Sequence, residues 1–111
     1  MRPTRFYSNR QEKAVAKVLS GKKVSNSGAT AFNKGDVTTD SFLIECKTST
    51  TEKQSFSIKK EWLIKNKEEA FAMRKDYSAL AFDFGGGERY YIIDERLFKL
   101  LLELIQKEEN V

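Results

Sequence analysis

The sequence predicts an α/β domain in which helices flank a mixed β-sheet, with elements in the order α-β-β-α-β-β-α. Two observations support this prediction. Apolar residues recur at helical spacing in three segments, and two pairs of short apolar strands lie between those segments. Because a helix separates the two strand pairs, it must cross from one pair to the other, which favours a mixed sheet. The length of 111 residues predicts a single domain over residues 1–111.

The first predicted element is a helix over residues 8–20. Ser8 or Asn9 can cap its start, and its apolar residues lie along one stripe. Gly21 is a plausible C-terminal stop because glycine readily ends a helix. We expect the preceding residues, 1–7, to form a flexible basic arm.

A β-hairpin is predicted after a loop. The stretch "NSGATAFNKG" (26–35) is rich in loop-forming residues. Residues 36–39 and 41–48 then read as two strands joined by a tight turn around Thr39 and Asp40.

The second half of the chain is predicted to form a helix, two strands and a final helix. The first of these helices covers about 58–76, with Ser57 as a possible cap. The segments "SALAFDF" and "RYYIID" read as strands joined by a flexible turn at Gly85–Gly87. Asp94 can cap the last helix, which runs to about Lys107.

The composition excludes several classes of chemistry. The chain has no histidine, which excludes Ser-His-Asp and Cys-His catalysis and every zinc site that contains histidine. Cys46 is the single cysteine, so no internal disulfide can form, and its place on a core face favours packing over nucleophilic attack. No apolar run reaches the length of a membrane helix and no secretory signal is visible, so we expect a cytoplasmic protein.

Positive charge is concentrated in the first third of the chain. Residues 1–34 carry eight Lys and Arg against one acid, Glu12, whereas residues 35–111 carry twelve against fifteen acids. This asymmetry points to a polyanionic partner, most often nucleic acid, although a solvated basic surface explains it as well. The eight basic residues are Arg2, Arg5, Arg10, Lys13, Lys17, Lys22, Lys23 and Lys34.

The second predicted strand, "FLIECK", places charges beside a core face. Since side chains alternate along a strand, Glu45 and Lys47 share one face, while Phe42, Ile44 and Cys46 face the core. If residues 36–48 form a hairpin, Asp36 lies near Glu45. Two neighbouring carboxylates repel each other unless a cation lies between them, and Mg²⁺ prefers oxygen ligands of this kind. The alternative is an ordinary salt bridge in a hairpin with an unrelated turn aspartate.

Two further features could belong to the same site. Glu12 lies on the apolar side of its helix, where a carboxylate needs a partner, so it is either a third metal ligand or a glutamate that reaches water. The "SNSG" loop, Ser25 to Gly28, either contacts a phosphate or forms a plain surface turn.

The pattern "RQEKAVAKVL … VSNSG … KGDV … FLIECKTS" resembles the PD-(D/E)XK nuclease superfamily, and within it the archaeal and phage-type Holliday junction resolvases. The resemblance covers roughly residues 8–94, and Gly35 stands where the superfamily name has proline. It implies a restriction-endonuclease-like core, a Mg²⁺ cofactor with Mn²⁺ as a substitute, and no small-molecule cofactor.

The resemblance also implies roles for individual residues. Glu12, Asp36, Glu45 and Lys47 would be catalytic, and the metal would be held by Glu12, Asp36, Glu45 and the backbone carbonyl of Cys46. The expected DNA contacts are Arg2, Arg5, Arg10, Lys13, Lys22, Lys23, Ser25, Ser27, Lys34 and Ser49.

The implied function is structure-selective DNA cleavage that resolves four-way (Holliday) junctions in recombination and repair. The resemblance also implies an intracellular protein, as in phage-encoded resolvases that act in the host. Three alternatives stay open: a restriction-like or nicking nuclease of the same fold, a non-catalytic DNA-binding module and a protein–protein adaptor. DNA is the expected partner in the first two alternatives. A membrane is not expected as a partner.

The last helix predicts self-association. Its seven apolar residues cover about 200° of the helix circumference, about twice what one core-facing stripe needs. The surplus suggests a homodimer, which the resembling resolvases also form, although deep burial within one domain is the alternative. These residues are Leu97, Phe98, Leu100, Leu101, Leu102, Leu104 and Ile105. Trp62, Tyr90 and Tyr91 are expected in the core or at an interface rather than stacked on bases.

Overall fold

The computed structural model describes residues 4–24, 36–49 and 51–110. It shows an α/β fold with a five-stranded mixed sheet and three helices, which confirms the predicted class. The elements are α1 (Thr4–Leu19), β1 (Lys22–Lys23), β2 (Asp36–Thr38), β3 (Phe42–Lys47), α2 (Lys60–Ala72), β4 (Tyr77–Asp83), β5 (Arg89–Ile92) and α3 (Glu95–Glu109). None of the helices in this part of the chain is long and apolar enough to cross a membrane.

The predicted element order was wrong by one strand. The observed order is α-β-β-β-α-β-β-α, because β1 precedes the predicted hairpin. This strand consists of Lys22 and Lys23, both exposed, so it has no apolar residue to reveal it in the sequence. It forms by pairing antiparallel with β2, opposite Thr38 and Val37.

The strands lie in the sheet in chain order, β1-β2-β3-β4-β5. β3 and β4 are parallel and the other neighbouring pairs are antiparallel. Since α2 lies between β3 and β4 in the chain, it is the crossover that parallel strands require. The turn between β2 and β3 is closed by Thr39, whose backbone N–H donates to the Phe42 carbonyl (3.1 Å) and whose hydroxyl accepts from the Phe42 N–H (3.0 Å).

Both faces of the sheet are covered, so Leu43 and Ile44, which point to opposite faces of β3, are both buried. On one face Val15 of α1 packs into a cluster with Val37, Ile44, Ala79 and Ala81. On the other face, Leu43 and Leu80 are fully buried where α2 packs against β3 and β4. The expected core set of Phe42, Ile44 and Cys46 is confirmed, since all three pack in or against that cluster.

Several element ends differ from the predicted ones. α1 begins at Thr4, so Ser8 and Asn9 lie within the helix and do not cap it, and part of the expected basic arm is helical. At its other end Ser20, rather than Gly21, adopts the left-handed conformation (φ 54°). Gly21 instead allows close packing, since a Cβ there would lie 2.7 Å from the Thr38 carbonyl oxygen.

The predicted caps of the two later helices had different outcomes. Ser57 does not cap α2, which begins after Lys59 without a side-chain cap. The predicted helix ran to about residue 76, whereas α2 ends at Ala72 and β4 begins at Tyr77. Asp94 caps α3 as predicted, because its Oδ1 accepts a hydrogen bond from the Leu97 N–H (2.9 Å).

α3 is not buried in its own domain. Leu97 is its one buried residue, whereas Phe98 and Ile105 are 56% and 53% exposed. The alternative of deep intramolecular burial was therefore wrong. The remaining exposed apolar side chains of this helix are Leu101, Leu102 and Leu104.

Candidate active site

The centre of the candidate site is a carboxylate pair on neighbouring strands. Asp36 and Glu45 are direct partners across the antiparallel β2–β3 ladder, so their side chains lie on the same face. Lys47 follows on that face, and its Nζ lies 3.5 Å from Glu45 Oε1. The predicted meeting of Asp36, Glu45 and Lys47 is therefore confirmed, and it depends on the tight turn that fixes the register of this hairpin.

Asp36 is placed where a negative charge is unfavourable. Asp36 is only 2% exposed to solvent. Burial is the main cause that raises the pKa of Asp36, to about 8, and the nearby carboxylates of Glu69, Glu45 and Glu12 add to it. Asp36 Oδ2 and Glu45 Oε2 are both buried and have no hydrogen-bond partner among the residues that the structure describes. The site therefore has two buried carboxylate oxygens that the described part of the chain leaves without a hydrogen bond.

These two oxygens fit a divalent cation, because Mg²⁺ is typically bound through one or two carboxylates and retains several waters. A cation between Asp36 and Glu45 would compensate both the burial and the repulsion that disfavour their charges. However, no group of three or more Asp, Glu, Cys or His side chains within residues 4–24, 36–49 and 51–110 could hold a metal ion. The fit is therefore to a two-carboxylate site and not to the expected three-acid cluster.

Glu12 is buried, but among the described residues it does not belong to a group of three acids that could hold a metal ion. It lies on α1, whose Val15 packs on the Ile44 face of the sheet, whereas Asp36 and Glu45 occupy the other face. Among the carboxylates, Glu12 contributes most to the raised pKa of the Cys46 thiol. It contributes less than Glu69 and Glu45 to the raised pKa of Asp36. Its place on the apolar side of α1, which the sequence indicated, directs Glu12 towards the Ile44 face of the sheet.

Glu69 of α2 is an acidic neighbour that the sequence pattern did not reveal. It is the strongest charged influence on Asp36, and its own pKa is raised by partial burial and by Glu45. Glu69 is seven positions after Trp62, so both side chains lie on the same face of α2. The seven-residue spacing was visible in the sequence, but the sequence did not show which strand residues this side of α2 meets.

A buried hydrogen-bond network holds the strand ends beside the site. Asp83, at the end of β4, accepts hydrogen bonds from Thr48 Oγ1 (2.9 Å), the Gly85 N–H (2.9 Å) and Gln11 Nε2 (3.1 Å). Gln11 Nε2 also donates to the Lys47 carbonyl oxygen (2.5 Å). These bonds tie α1 to the ends of β3 and β4. A buried aspartate within the apolar run "SALAFDF" was the available signal.

The expected DNA contacts lie in different environments. Arg10, Lys13, Lys22 and Lys23 are exposed, and the last two form β1, beside the strand that carries Asp36. Arg2, Ser25, Ser27, Lys34 and the Arg5 side chain lie outside the described residues. Ser49 is buried, and its hydroxyl donates to the Thr51 carbonyl (2.5 Å), so this hydroxyl is engaged within the chain.

Cys46 packs against the core cluster, and burial raises the pKa of its thiol to about 12. A thiol of this kind stays protonated at neutral pH, which agrees with the expected packing role. The proposed use of its backbone carbonyl as a metal ligand stays a prediction.

Comparisons of the chain with models of protein families, with curated proteins and with solved structures found no match.

Proposed function

We propose that this protein is a metal-dependent DNA endonuclease with a restriction-endonuclease-like core, and that it cleaves branched DNA such as four-way junctions. The observation that supports this proposal best is the pairing of Asp36 with Glu45 across β2 and β3, with Lys47 on the same face. The two unsatisfied buried carboxylate oxygens are the second support, because a hard cation would satisfy both.

The proposed reaction is hydrolysis of a phosphodiester. A water oxygen forms a bond to phosphorus, and the bond from phosphorus to one sugar oxygen breaks. One water proton ends on that sugar oxygen as a hydroxyl, and the other stays with the phosphate product or passes to solvent. Asp36 and Glu45 would hold Mg²⁺, or Mn²⁺ in its place, which when bound supplies positive charge and a water of lowered pKa. The ammonium of Lys47 would stabilise the negative charge that develops on the phosphate oxygens.

The proposed substrate is a polyanion that contacts the exposed basic residues. Lys22 and Lys23 extend from the edge of the sheet next to β2, and Arg10 and Lys13 are exposed on α1. Lysine and arginine at such positions bind DNA phosphates with an affinity that falls as salt rises. Because its proposed substrate is DNA within cells, we propose that the protein acts inside the cell.

We also propose a homodimer in which the exposed apolar face of α3 packs against the same face of a second copy. The first half of α3 has two basic residues and one acid, and the second half has three acids and one basic residue. A two-fold axis across the helix would pair it antiparallel and place opposite charges together. Two sites related in this way suit the two symmetric strands of a four-way junction.

The test is cleavage of a synthetic four-way junction and of a linear duplex of the same sequence, each with Mg²⁺. The variants are Glu45→Gln and Lys47→Met, and the matched controls are Asp40→Asn in the adjacent turn and Lys60→Met on α2, both exposed. We expect the wild-type protein and both controls to cut the junction, and each site variant to lose at least about 100-fold in rate.

The other outcomes distinguish the alternatives. Equal cutting of the duplex and the junction would indicate a restriction-like or nicking nuclease. Salt-sensitive binding by all five proteins without cutting would indicate a DNA-binding module, and it would contradict the enzymatic proposal. An adaptor would show no salt-dependent affinity for DNA.

A further inference from the structure

Trp62, in the first turn of α2, contacts the lysine of the candidate site. The Nζ of Lys47 lies 4.5 Å from the centroid of the Trp62 ring. The same ammonium is 3.5 Å from Glu45 Oε1. Lys47 is therefore held between an aromatic face and a carboxylate, although about a third of its side chain is exposed.

The Trp62 ring is itself packed against other aromatic side chains. Its centroid lies 6.4 Å from that of Phe56, which in turn lies 5.5 Å from Phe82. Phe82 on β4 is the direct partner of Lys47 across the parallel β3–β4 ladder. The ring and the strand that carries the lysine are thus joined through one aromatic cluster, and this fixes the position of one relative to the other.

We infer that Trp62 is a positioning residue that holds the Lys47 ammonium beside the Asp36–Glu45 pair, an inference that rests on the proposed nuclease function. A lysine side chain has several rotatable bonds, so an exposed ammonium samples many positions. An aromatic face attracts the ammonium through its quadrupole without carrying a net negative charge. The aromatic contact therefore restricts the lysine without itself neutralising the ammonium charge, which can still attract a phosphate oxygen.

The predicted role separates Trp62 from an ordinary core aromatic. A core residue would contribute to stability alone, and its loss would affect all folded functions equally. A positioning residue would affect the catalytic rate more than substrate binding, and a second aromatic ring at the same position would restore part of the rate.

The first experiment measures the contact without any cleavage. Trp62 is the only tryptophan of the chain, so its fluorescence reports on this one position. We expect Lys47→Met to change the emission intensity or maximum of the folded protein. The matched control is Lys60→Met, which removes an exposed lysine from the same helical turn and should leave the emission unchanged.

The second experiment measures junction cleavage with Mg²⁺ for Trp62→Leu and Trp62→Phe. We expect Trp62→Leu to lower kcat about tenfold with KM changed less than about twofold, and Trp62→Phe to lower kcat only about threefold. Thermal unfolding of each variant shows whether the fold is retained.

Each outcome bears on a different part of the inference. An unchanged emission in Lys47→Met overturns the contact, whatever the activity. A changed emission together with wild-type cleavage by Trp62→Leu overturns the positioning role. If the wild-type protein cleaves no DNA, the nuclease proposal and the catalytic role of this contact both fail, while the fluorescence result still decides whether the contact exists.

Discussion

Asp36 is a carboxyl group that folding removes from water and places near other carboxylates. In the unfolded chain it ionises near its ordinary pKa of 3.8, whereas in the fold its pKa rises to about 8. Between these values the folded state binds a proton that the unfolded state has released. The folded state is therefore destabilised progressively as the pH rises from about 4 to about 8.

Replacement of Asp36 by asparagine is expected to remove this pH dependence. Without divalent cations, Asp36→Asn should be more stable than the wild-type protein at pH 8 by roughly a few kcal/mol, and the difference should shrink towards pH 4. The measurement is the free energy of unfolding by urea at a series of pH values. Mg²⁺ at pH 8 should stabilise the wild-type protein and not this variant, because a cation would bind the ionised carboxylate.

The control for this prediction is Asp40→Asn, an exposed aspartate in the turn that joins β2 to β3. It should keep the decline of stability shown by the wild-type protein. If Asp36→Asn shows the same decline as this control, the carboxyl of Asp36 is not the protonated group in the fold.

At the residue scale, the sequence predicted the contacts that lie within one hairpin. Strand alternation and a tight turn are local properties, and they were sufficient to pair Asp36 with Glu45. The contacts of Trp62 and Glu69 were not predicted, because they depend on how α2 is rotated against the sheet. Helical spacing shows which residues share a face but not which element that face meets.

Among the elements, α1 is connected to the sheet by polar groups as well as by its apolar stripe. Gln11 reaches both the Lys47 carbonyl and the Asp83 carboxylate, so the helix is attached where β3 and β4 end. Because Asp83 accepts several of these bonds at once, its carboxylate is the common acceptor of the network.

Removal of that acceptor is expected to destabilise the fold. In Asp83→Ala, the donors on Gln11, Thr48 and Gly85 would lose a buried partner, which should lower the free energy of unfolding by about 3 kcal/mol. Chemical denaturation measures this change. The exposed Asp76→Ala is the matched control and should change stability by less than about 0.5 kcal/mol. Equal values for the two variants would contradict the proposed importance of the network.

The prediction of elements from the sequence succeeded where a local signal was strong. Asp94 begins α3 as predicted because a capping aspartate precedes a long apolar pattern. β1 was missed because two exposed lysines form a strand only through pairing with β2. The start of α1 was predicted too late. The helix begins at Thr4, before Ser8 and Asn9, which are the first capping residues that the prediction used.

At the scale of the whole molecule, α3 carries apolar side chains that lie outside the core and are exposed. The protein measures 52 × 34 × 27 Å, and most apolar side chains of α3 are exposed. Exposed apolar groups on one helix face usually mark a binding surface. The sequence predicted the excess of apolar residues, but only the packing shows that the rest of the domain does not cover them.

Charges placed on this face are expected to separate the proposed dimer. Phe98 and Ile105 are seven residues apart and share a helix face, so Phe98→Glu with Ile105→Glu should prevent association. Light scattering should show about twice the chain mass of 12.8 kDa for the wild-type protein and a single mass for the double variant. Glu103→Gln, on the side of α3 opposite Ile105, should still dimerise. A monomeric wild-type protein at micromolar concentration would contradict the dimer.

β1 has a further consequence for the behaviour of the chain at high concentration. The outer side of an edge strand exposes peptide groups that can pair with a strand of another molecule, which is a common start of fibril growth. Here both residues of that strand are exposed lysines. A second molecule aligned on this edge in the same way would bring its own lysines against them, so like charges oppose strand-by-strand polymerisation at the edge of the sheet that precedes Asp36.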